Sequence, residues 1–184
     1  NRSASFMCLK EIFPKKKSTI RILVIQQKMI GDVLISTLIC KNLKIWNPNV
    51  HISFIANRHT LDVVQNNPYI NEIIVFEDHF KKNKWGLFQF LLEQGKERYD
   101  YIIDAYGKFE SKLICLFIRA QHKIGFKKKF SFLVYSHRVK LNRELEHPLQ
   151  LSIRNRFQLL EPIMGDFPKI NDVEIHLTKE EINT

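Results

Sequence analysis

Apolar and polar residues recur along this chain with two different periods, and each change of period marks the boundary of an element. Residues Ile20–Ile25 are apolar at five of six positions and mostly β-branched, as in a strand buried on both faces of a parallel sheet. From Gly31-Asp32 to Trp46 the apolar residues recur at three-and-four spacing, which predicts an amphipathic helix that begins at Asp32. The stretch 20–46 is therefore predicted to be a strand, a loop and a helix.

The same alternation continues along the chain. On the predicted helix 85–98, Trp85, Phe88, Leu91 and Leu92 share one apolar face. Residues 178–181 are typical of the cap and first turn of a further helix. Strands that alternate with helices predict an α/β fold with a doubly wound, mostly parallel, Rossmann-like sheet. Predicted strands lie at 50–56, 70–76, 99–105, 123–126, 132–135 and 173–177, and predicted helices at 58–65, 85–98, 110–119 and 148–164.

Length and composition predict one folded domain. The chain has 184 residues, of which 45% are hydrophobic, enough for one ordinary core. We expect a basic leader or tail at 1–19, the domain at 20–177, and the start of a linker or helix at 178–184. No apolar run approaches the length of about 20 residues needed to span a bilayer. The three cysteines form no C-x-x-C pair, so we expect reduced thiols of a cytosolic protein.

Charge narrows the range of partners. The net charge of +10 predicts an anionic partner such as nucleic acid, a lipid surface or a phosphorylated substrate. The segment 119–143 holds eight Lys or Arg and no Asp or Glu, whereas solvated faces usually mix charge signs. An anion-binding surface and a plain solvated face both stay open for this segment. The lysines of the leader could lie on an anionic membrane or belong to a disordered tail.

The loop after the first strand is the candidate for chemistry. In an open α/β sheet, ligands bind outside the carboxyl ends of the strands, so Gln26–Asp32 should line the crevice. A single glycine there is not the G-x-G-x-x-G of a dinucleotide site. Asp32 has two interpretations, as a helix N-cap that accepts a backbone N–H or as a reactive carboxylate.

Five segments in this order resemble the family 9 glycosyltransferases, which are the lipopolysaccharide heptosyltransferases and their relatives. The resemblance covers roughly residues 20–182 and implies the N-terminal, acceptor-binding half of a GT-B arrangement. It also implies a C-terminal half that binds the nucleotide-sugar donor, usually ADP-heptose. No segment of this chain is similar to that half. The five segments are Ile20–Lys44, Asn67–Ile74, Tyr99–Asp104 with Gly107, Lys123–Phe126, and His147-Pro148 with Val173–Glu181.

The resemblance also implies a set of site residues. Inverting glycosyl transfer needs one base to take the proton of the acceptor hydroxyl, and Asp32 is the residue that could do so. No D-x-D motif and no metal-ligand spacing of histidines occurs, so we expect a metal-independent transfer with no metal site and no cofactor beyond the donor. The residues expected to bind the acceptor are Lys28, Gly31, Arg58, Asp104, Lys127, Lys128, Lys129 and Arg138.

The expected partner is an anionic glycolipid acceptor such as a lipid A and Kdo core. We expect a bacterial, cytoplasmic monomer, peripheral at the inner face of the cytoplasmic membrane, whose 184 residues alone transfer no sugar. One alternative is a non-catalytic module that binds polyanions or glycolipids. A nucleic-acid-binding α/β domain is the other, and it is disfavoured because the aromatic residues lie mostly inside apolar patterns and no recognition motif is present.

Overall fold

The computed structural model describes residues 19–143 and 147–176, and its centre is a six-stranded sheet. Every strand pairing in the described chain is parallel. The strands are β1 (Arg21–Ile25), β2 (His51–Asn57), β3 (Glu72–Phe76), β4 (Arg98–Asp104), β5 (Arg119–Phe126) and β6 (His137–Val139), and the α-helices are α1 (Ile30–Trp46), α2 (Lys84–Gln94), α3 (Phe109–Phe117) and α4 (Pro148–Met164).

The strand order is β3-β2-β1-β4-β5-β6, which confirms the predicted doubly wound, Rossmann-like sheet. The chain winds outward from β1 to β3 and then returns to place β4 beside β1, with Ile25 opposite Asp104. The order reverses between the carboxyl ends of β1 and β4. This is the position at which open α/β sheets form a ligand crevice.

Two apolar layers cover the sheet, one on each face. Helices α1 and α4 contribute Leu43 and Leu160 to the first layer, and α2 and α3 contribute Leu91 and Ile114 to the second. The central strand β1 is covered on both sides, so Ile22 through Ile25 are completely buried. That burial explains why β1 is a continuous apolar run. Among the described residues, no helix combines the length and the apolar composition needed to cross a membrane.

Helix α1 begins two residues earlier than predicted. Its N-cap is Met29, which offers no side-chain hydrogen bond, and Asp32 lies inside the first turn. The interpretation of Asp32 as an N-cap is therefore wrong. Its carboxylate is free to make other contacts.

The predicted strand 132–135 is also wrong. Ser131–Leu133 forms a 3₁₀ turn that follows Phe130, whose φ of 61° is left-handed. Ser131 is buried and its backbone oxygen accepts from the N–H of Tyr135 at 2.9 Å. This turn places the Tyr135 ring over Gly125, where an added Cβ would lie 2.5 Å from it. The edge strand is β6, which the apolar pattern did not predict.

Helix α2 buries only part of the face that the sequence predicted. Phe90 and Leu91 are buried, whereas Trp85, Phe88 and Leu92 are exposed. Of the predicted apolar stripe, Leu91 is buried, and the rest faces outward. The reason is that the sheet and the aromatic ring of Phe80 contact α2 from the Phe90 side, with the Phe76 and Phe90 ring centroids 5.5 Å apart.

The end of the described chain differs from expectation as well. Residues 173–176 form no strand but run across α1, where Lys41 Nζ lies 3.1 Å from Asp172 and 2.6 Å from Glu174. The predicted helix 58–65 is a 3₁₀ helix, Arg58–Val63. The predicted leader at 1–19, apart from Thr19, and the predicted linker or helix at 178–184 lie outside the described residues, so those domain boundaries stay predictions.

Candidate functional site

The candidate site lies at the carboxyl ends of β1 and β4, with Asp32 at its centre. The Asp32 side chain is 23% exposed and is held between two cations. Arg156 Nη2 lies 3.2 Å from Oδ1, and Lys28 Nζ lies 3.0 Å from Oδ2. Arg156 is buried, whereas Lys28 is more than half exposed. One cation is therefore fixed in the core and the other can be displaced.

A buried hydrogen-bond network fixes Arg156 beneath the site. Its Nε donates to Ser36 Oγ at 2.9 Å, and that hydroxyl donates to the backbone oxygen of Asp32 at 2.7 Å. Gln26 Nε2 donates to the same hydroxyl at 3.2 Å. Burial lowers the pKa of Arg156, and the charge of Asp32 opposes that effect. The ion pair with Arg156 orients Oδ1 of Asp32 and leaves Oδ2, which lies near Lys28, accessible.

Side-chain amides line the crevice next to this network. Gln26, Gln27 and Asn57 are all buried, and Asn57 Nδ2 donates to the backbone oxygen of Gln27 at 3.0 Å. Gln26 Oε1, both amide atoms of Gln27 and Asn57 Oδ1 find no hydrogen-bond partner within the described part of the chain. A buried polar group without a partner costs about 1–3 kcal/mol. These amides are suited to the neutral hydroxyl groups of a bound ligand.

Asp104, at the end of β4, is fully buried. Its Oδ1 accepts from the N–H of Gly107 at 2.7 Å, and its Oδ2 accepts from the hydroxyls of Ser111 at 2.8 Å and Tyr135 at 2.5 Å. Burial raises the pKa of Asp104, and these hydrogen bonds oppose the rise. Both oxygens are engaged, so Asp104 organises the loop after β4. Its predicted part in acceptor binding would be exerted through that loop.

The loop that Asp104 holds contacts Lys128 of the basic segment 119–143. Gly107 has a left-handed φ of 63°, and its backbone oxygen accepts from Lys128 Nζ at 3.4 Å. Burial lowers the pKa of Lys128, and the charges of Lys108, Lys112 and Lys28 lower it further, against the attraction of Asp104. Lysines from three loops therefore lie within electrostatic range of one another beside the crevice.

The remaining predicted basic residues fall into different surroundings. Lys127 lines a groove of about 460 Å³ together with Lys140 and Arg143. Lys129 is exposed, and its Nζ lies 5.2 Å from the centroid of the Phe130 ring. Arg138 is exposed on the edge strand β6, opposite Gly125 of β5. The basic segment thus forms a broad surface rather than one pocket.

Arg58 follows β2 as predicted, but its charge is already compensated. Its Nε donates to both oxygens of Glu77, at 2.8 and 3.0 Å, and Nη2 also pairs with that carboxylate. The pairing raises the pKa of Arg58 and lowers that of Glu77. Binding of an anion by Arg58 would have to compete with this pair.

Sequence reasoning missed Arg156 and Asn57, whereas Gln27 lies in the loop predicted to line the crevice. One signal for Arg156 was available, because it lies between Ile153 and Leu160 on the apolar stripe of the helix 148–164. A cation on a buried face needs a partner, and the partner is Asp32, 124 residues away. Gly31, by contrast, is exposed, and an added Cβ would meet nothing within 4 Å. Space beside Asp32 is therefore open.

This arrangement has the parts that proton abstraction requires. A carboxylate with partial exposure, one fixed cation and an open side can accept a proton from a hydroxyl group that approaches through the crevice. Within the described ranges, no group of three or more His, Cys, Asp or Glu side chains is placed to hold a metal ion. The neighbouring amides and lysines could position a polar, negatively charged ligand.

Comparisons with known sequences and structures bear on the family and the fold. The family model described as glycosyltransferase family 9 (heptosyltransferase) matches residues 88–182. No curated protein sequence matches the chain. The fold is similar to a family 9 glycosyl transferase from Veillonella parvula DSM 2008, with a TM-score of 0.73 and 21% identity over 91% of this chain and 48% of that one.

Two Escherichia coli structures show the same likeness. Heptosyltransferase WaaC with ADP gives a TM-score of 0.68 at 15% identity, covering 83% of this chain and 50% of that one. ADP-heptose lps heptosyltransferase II gives 0.65 at 20% identity, covering 89% of this chain and 49% of that one. The chain thus spans about half the length of the solved structures that it matches.

Proposed function

This chain belongs to glycosyltransferase family 9, and from that premise we propose that it is the acceptor-binding half of an inverting, metal-independent transferase. The transferred sugar is heptose or a related sugar, the donor is a nucleotide sugar such as ADP-heptose, and the acceptor is a lipopolysaccharide core. A second half binds the donor. WaaC carries ADP in one of the structures that this chain resembles, which supports a nucleotide-linked donor.

The observation that carries the proposal is the position of Asp32. It lies at the crevice where the strand order reverses, it caps no helix, and it is partly open to solvent. Asp32 takes the proton of the acceptor hydroxyl while that oxygen bonds to the anomeric carbon of the donor. The bond from that carbon to the diphosphate breaks at the same time, and its electrons leave with the phosphate oxygen.

The residues around Asp32 bind different groups of the acceptor. Arg156 keeps the carboxylate oriented, because its own position is fixed by Ser36. The exposed contact of Lys28 with Asp32 is worth only about 0–1 kcal/mol, so Lys28 can turn to an acceptor carboxylate or phosphate. Gln27 offers both of its amide atoms to sugar hydroxyls, and Asn57 offers its Oδ1. Lys128 and its neighbours face the anionic groups of the glycolipid.

In this function the protein acts as a monomer at the inner face of the bacterial cytoplasmic membrane, where a glycolipid acceptor is presented. The basic surface near the crevice supports this location. A glycolipid rather than a nucleic acid is the proposed partner because the crevice combines one carboxylate base with neighbouring amides and lysines.

The test is an assay of the full-length gene product with ADP-heptose and a truncated lipopolysaccharide core. We expect the mass of the acceptor to increase by one sugar, with inversion at the anomeric carbon and no loss of rate in a chelator. The 184 residues alone should bind the acceptor without turnover. Multiple turnovers by these residues alone would contradict the two-half arrangement. Binding without transfer by the full-length product would favour the non-catalytic module.

A further inference from the structure

We propose that the protein docks on the surface of an anionic phospholipid bilayer through an apolar face formed by α2, α3 and the 3₁₀ turn 131–133. This inference deepens the proposed function, on which the presence of a membrane partner rests, by assigning the contact to one surface. We call this surface the α2–α3 face. Its residues are Trp85, Phe88, Leu92, Phe109, Leu116, Phe117, Phe130, Phe132 and Leu133.

All nine side chains are large, apolar and exposed. Phe109 is 71% exposed, Trp85 66% and Leu133 64%. An aromatic side chain has a surface of about 150–250 Å², so the six aromatic rings alone expose on the order of several hundred Å². Soluble monomers rarely expose apolar patches larger than this, and such patches mark interaction sites.

The nine residues form one surface because their elements cover the same side of the sheet. The ring centroids of Trp85 and Phe88 are 5.8 Å apart, and those of Phe88 and Phe117 are 6.4 Å apart, which joins α2 to α3. Lys112, on α3, donates from Nζ to the backbone oxygen of Lys129 at 3.3 Å, which joins α3 to the turn.

Lysines border this face, and that charge selects the partner. Lys108, Lys112 and Lys127–Lys129 form no ion pair with a carboxylate among the described residues, and Lys129 lies over the Phe130 ring. An apolar surface with unpaired lysines at its border matches an interface of acyl chains beneath anionic headgroups. The charge is complementary to that surface and repels a second basic copy of this chain.

The exposed rings correct one step of the sequence reasoning, which placed the aromatic residues mostly inside apolar patterns. Phe130 and Phe132 are exposed and lie next to Lys127–Lys129, an arrangement that also suits stacking on unpaired bases. The exposed leucines Leu92, Leu116 and Leu133 favour a lipid bilayer over a nucleic acid as the partner. Aliphatic side chains gain little from bases but enter a lipid interface readily.

The experiment measures sedimentation of the protein with phosphatidylcholine vesicles, with and without phosphatidylglycerol. We expect binding only to the anionic vesicles. The double variant Phe132→Ser with Leu133→Ser should bind about ten-fold more weakly, since both side chains leave the interface. Replacing Lys127, Lys128 and Lys129 by Ser should weaken binding by about five-fold per lysine. The emission of Trp85 should shift to shorter wavelength on binding, and Trp85→Phe should abolish that shift.

The matched control is Ile45→Ser with Ile170→Ser, two exposed apolar residues on the α1 side of the sheet. Its binding should equal that of the parent. Three results would overturn the proposal: equal binding by the Phe132 and Leu133 variant, tighter binding to a single-stranded oligonucleotide, or a dimer in solution that the same variant dissociates. In the full-length product the variant should still transfer sugar to a deacylated, soluble acceptor. Loss of vesicle binding is thereby separated from failure of the transferase proposal.

Discussion

Two aspartates follow the two central strands of the sheet, and their surroundings are opposite. Asp32 lies after β1 with its carboxylate partly exposed, between the cations of Arg156 and Lys28. Asp104 ends β4 with no exposure and accepts hydrogen bonds from hydroxyls and backbone N–H groups. The same side chain at neighbouring strand ends thus serves two purposes. The partly exposed carboxylate of Asp32, paired with two cations, is available for chemistry. The buried carboxylate of Asp104, which accepts hydrogen bonds from neutral donors, fixes the loop after β4.

The largest expected contrast is in catalysis. In the full-length product, Asp32→Asn should lower kcat by about 10² to 10⁴, the usual contribution of a general base. Asp32 caps no helix, but Asn leaves the buried Arg156 guanidinium facing a neutral amide, so the variant should lose about 1–3 kcal/mol of stability and still fold. Turnover at saturating acceptor and donor is the measurement, with thermal melting as the control. A kcat within a few-fold of the parent would remove Asp32 from the mechanism.

Stability should show the reverse contrast. Asp104→Ala removes the acceptor for Ser111, Tyr135 and the N–H of Gly107, and should lower the free energy of unfolding by about 2–4 kcal/mol. Urea denaturation measures this loss. The control is Asp62→Ala, an exposed aspartate for which we expect a change within about 0.5 kcal/mol. Equal midpoints for the two variants would contradict the structural role of Asp104.

A smaller contrast concerns the glycine beside each aspartate. Gly107 has a left-handed φ, so Gly107→Ala should lower stability by about 1–2 kcal/mol. Gly31 is helical and has free space around it, so Gly31→Ala should leave stability nearly unchanged or slightly raised. If the space beside Gly31 admits the acceptor, this variant should raise KM for the acceptor while kcat stays near the parent value. Unchanged kinetics would exclude Gly31 from the binding surface.

The smallest expected effect is on the pH dependence of stability, because hydrogen bonds partly oppose the burial of Asp104. Burial raises its pKa in the folded state above the ordinary value of 3.8. Between these two values the folded state binds more protons than the unfolded state, so stability falls as pH rises through this window. Comparing the parent with Asp104→Asn from acid to neutral pH should show the parent losing stability relative to the variant. A constant difference would show that burial does not shift the group.

Local patterns predicted much of the fold, because burial leaves its signal in neighbouring residues. The apolar run 20–25 is completely covered from Ile22 onward, and the helix 148–164 has the predicted bounds. The strand at 132–135 was mispredicted for a specific reason. The four apolar residues 132–135 are compatible with a strand or with a turn. The left-handed backbone of Phe130 and the burial of Ser131 favour the turn.

The site residues divide in the same way. The loop after β1 and the carboxylate of Asp32 were predictable, since a strand, a glycine and a helix place them at a strand end. The partners of the charged residues were not predictable. Arg58 is paired by Glu77, 19 residues away, and Asp32 by Arg156, 124 residues away.

The sequence by itself thus determined the alternating elements, the parallel sheet and the loop that carries Asp32, because periodicity and β-branched runs report burial residue by residue. Only the tertiary structure decided which face of α2 points outward, which cations meet which carboxylates, and that Asp104 is sealed while Asp32 is open. Those outcomes depend on contacts between residues far apart in the chain, and an exposed ion pair such as that of Lys28 with Asp32 contributes about 1 kcal/mol or less. Terms of that size leave no periodic signal, so the packing of the whole domain selects among them.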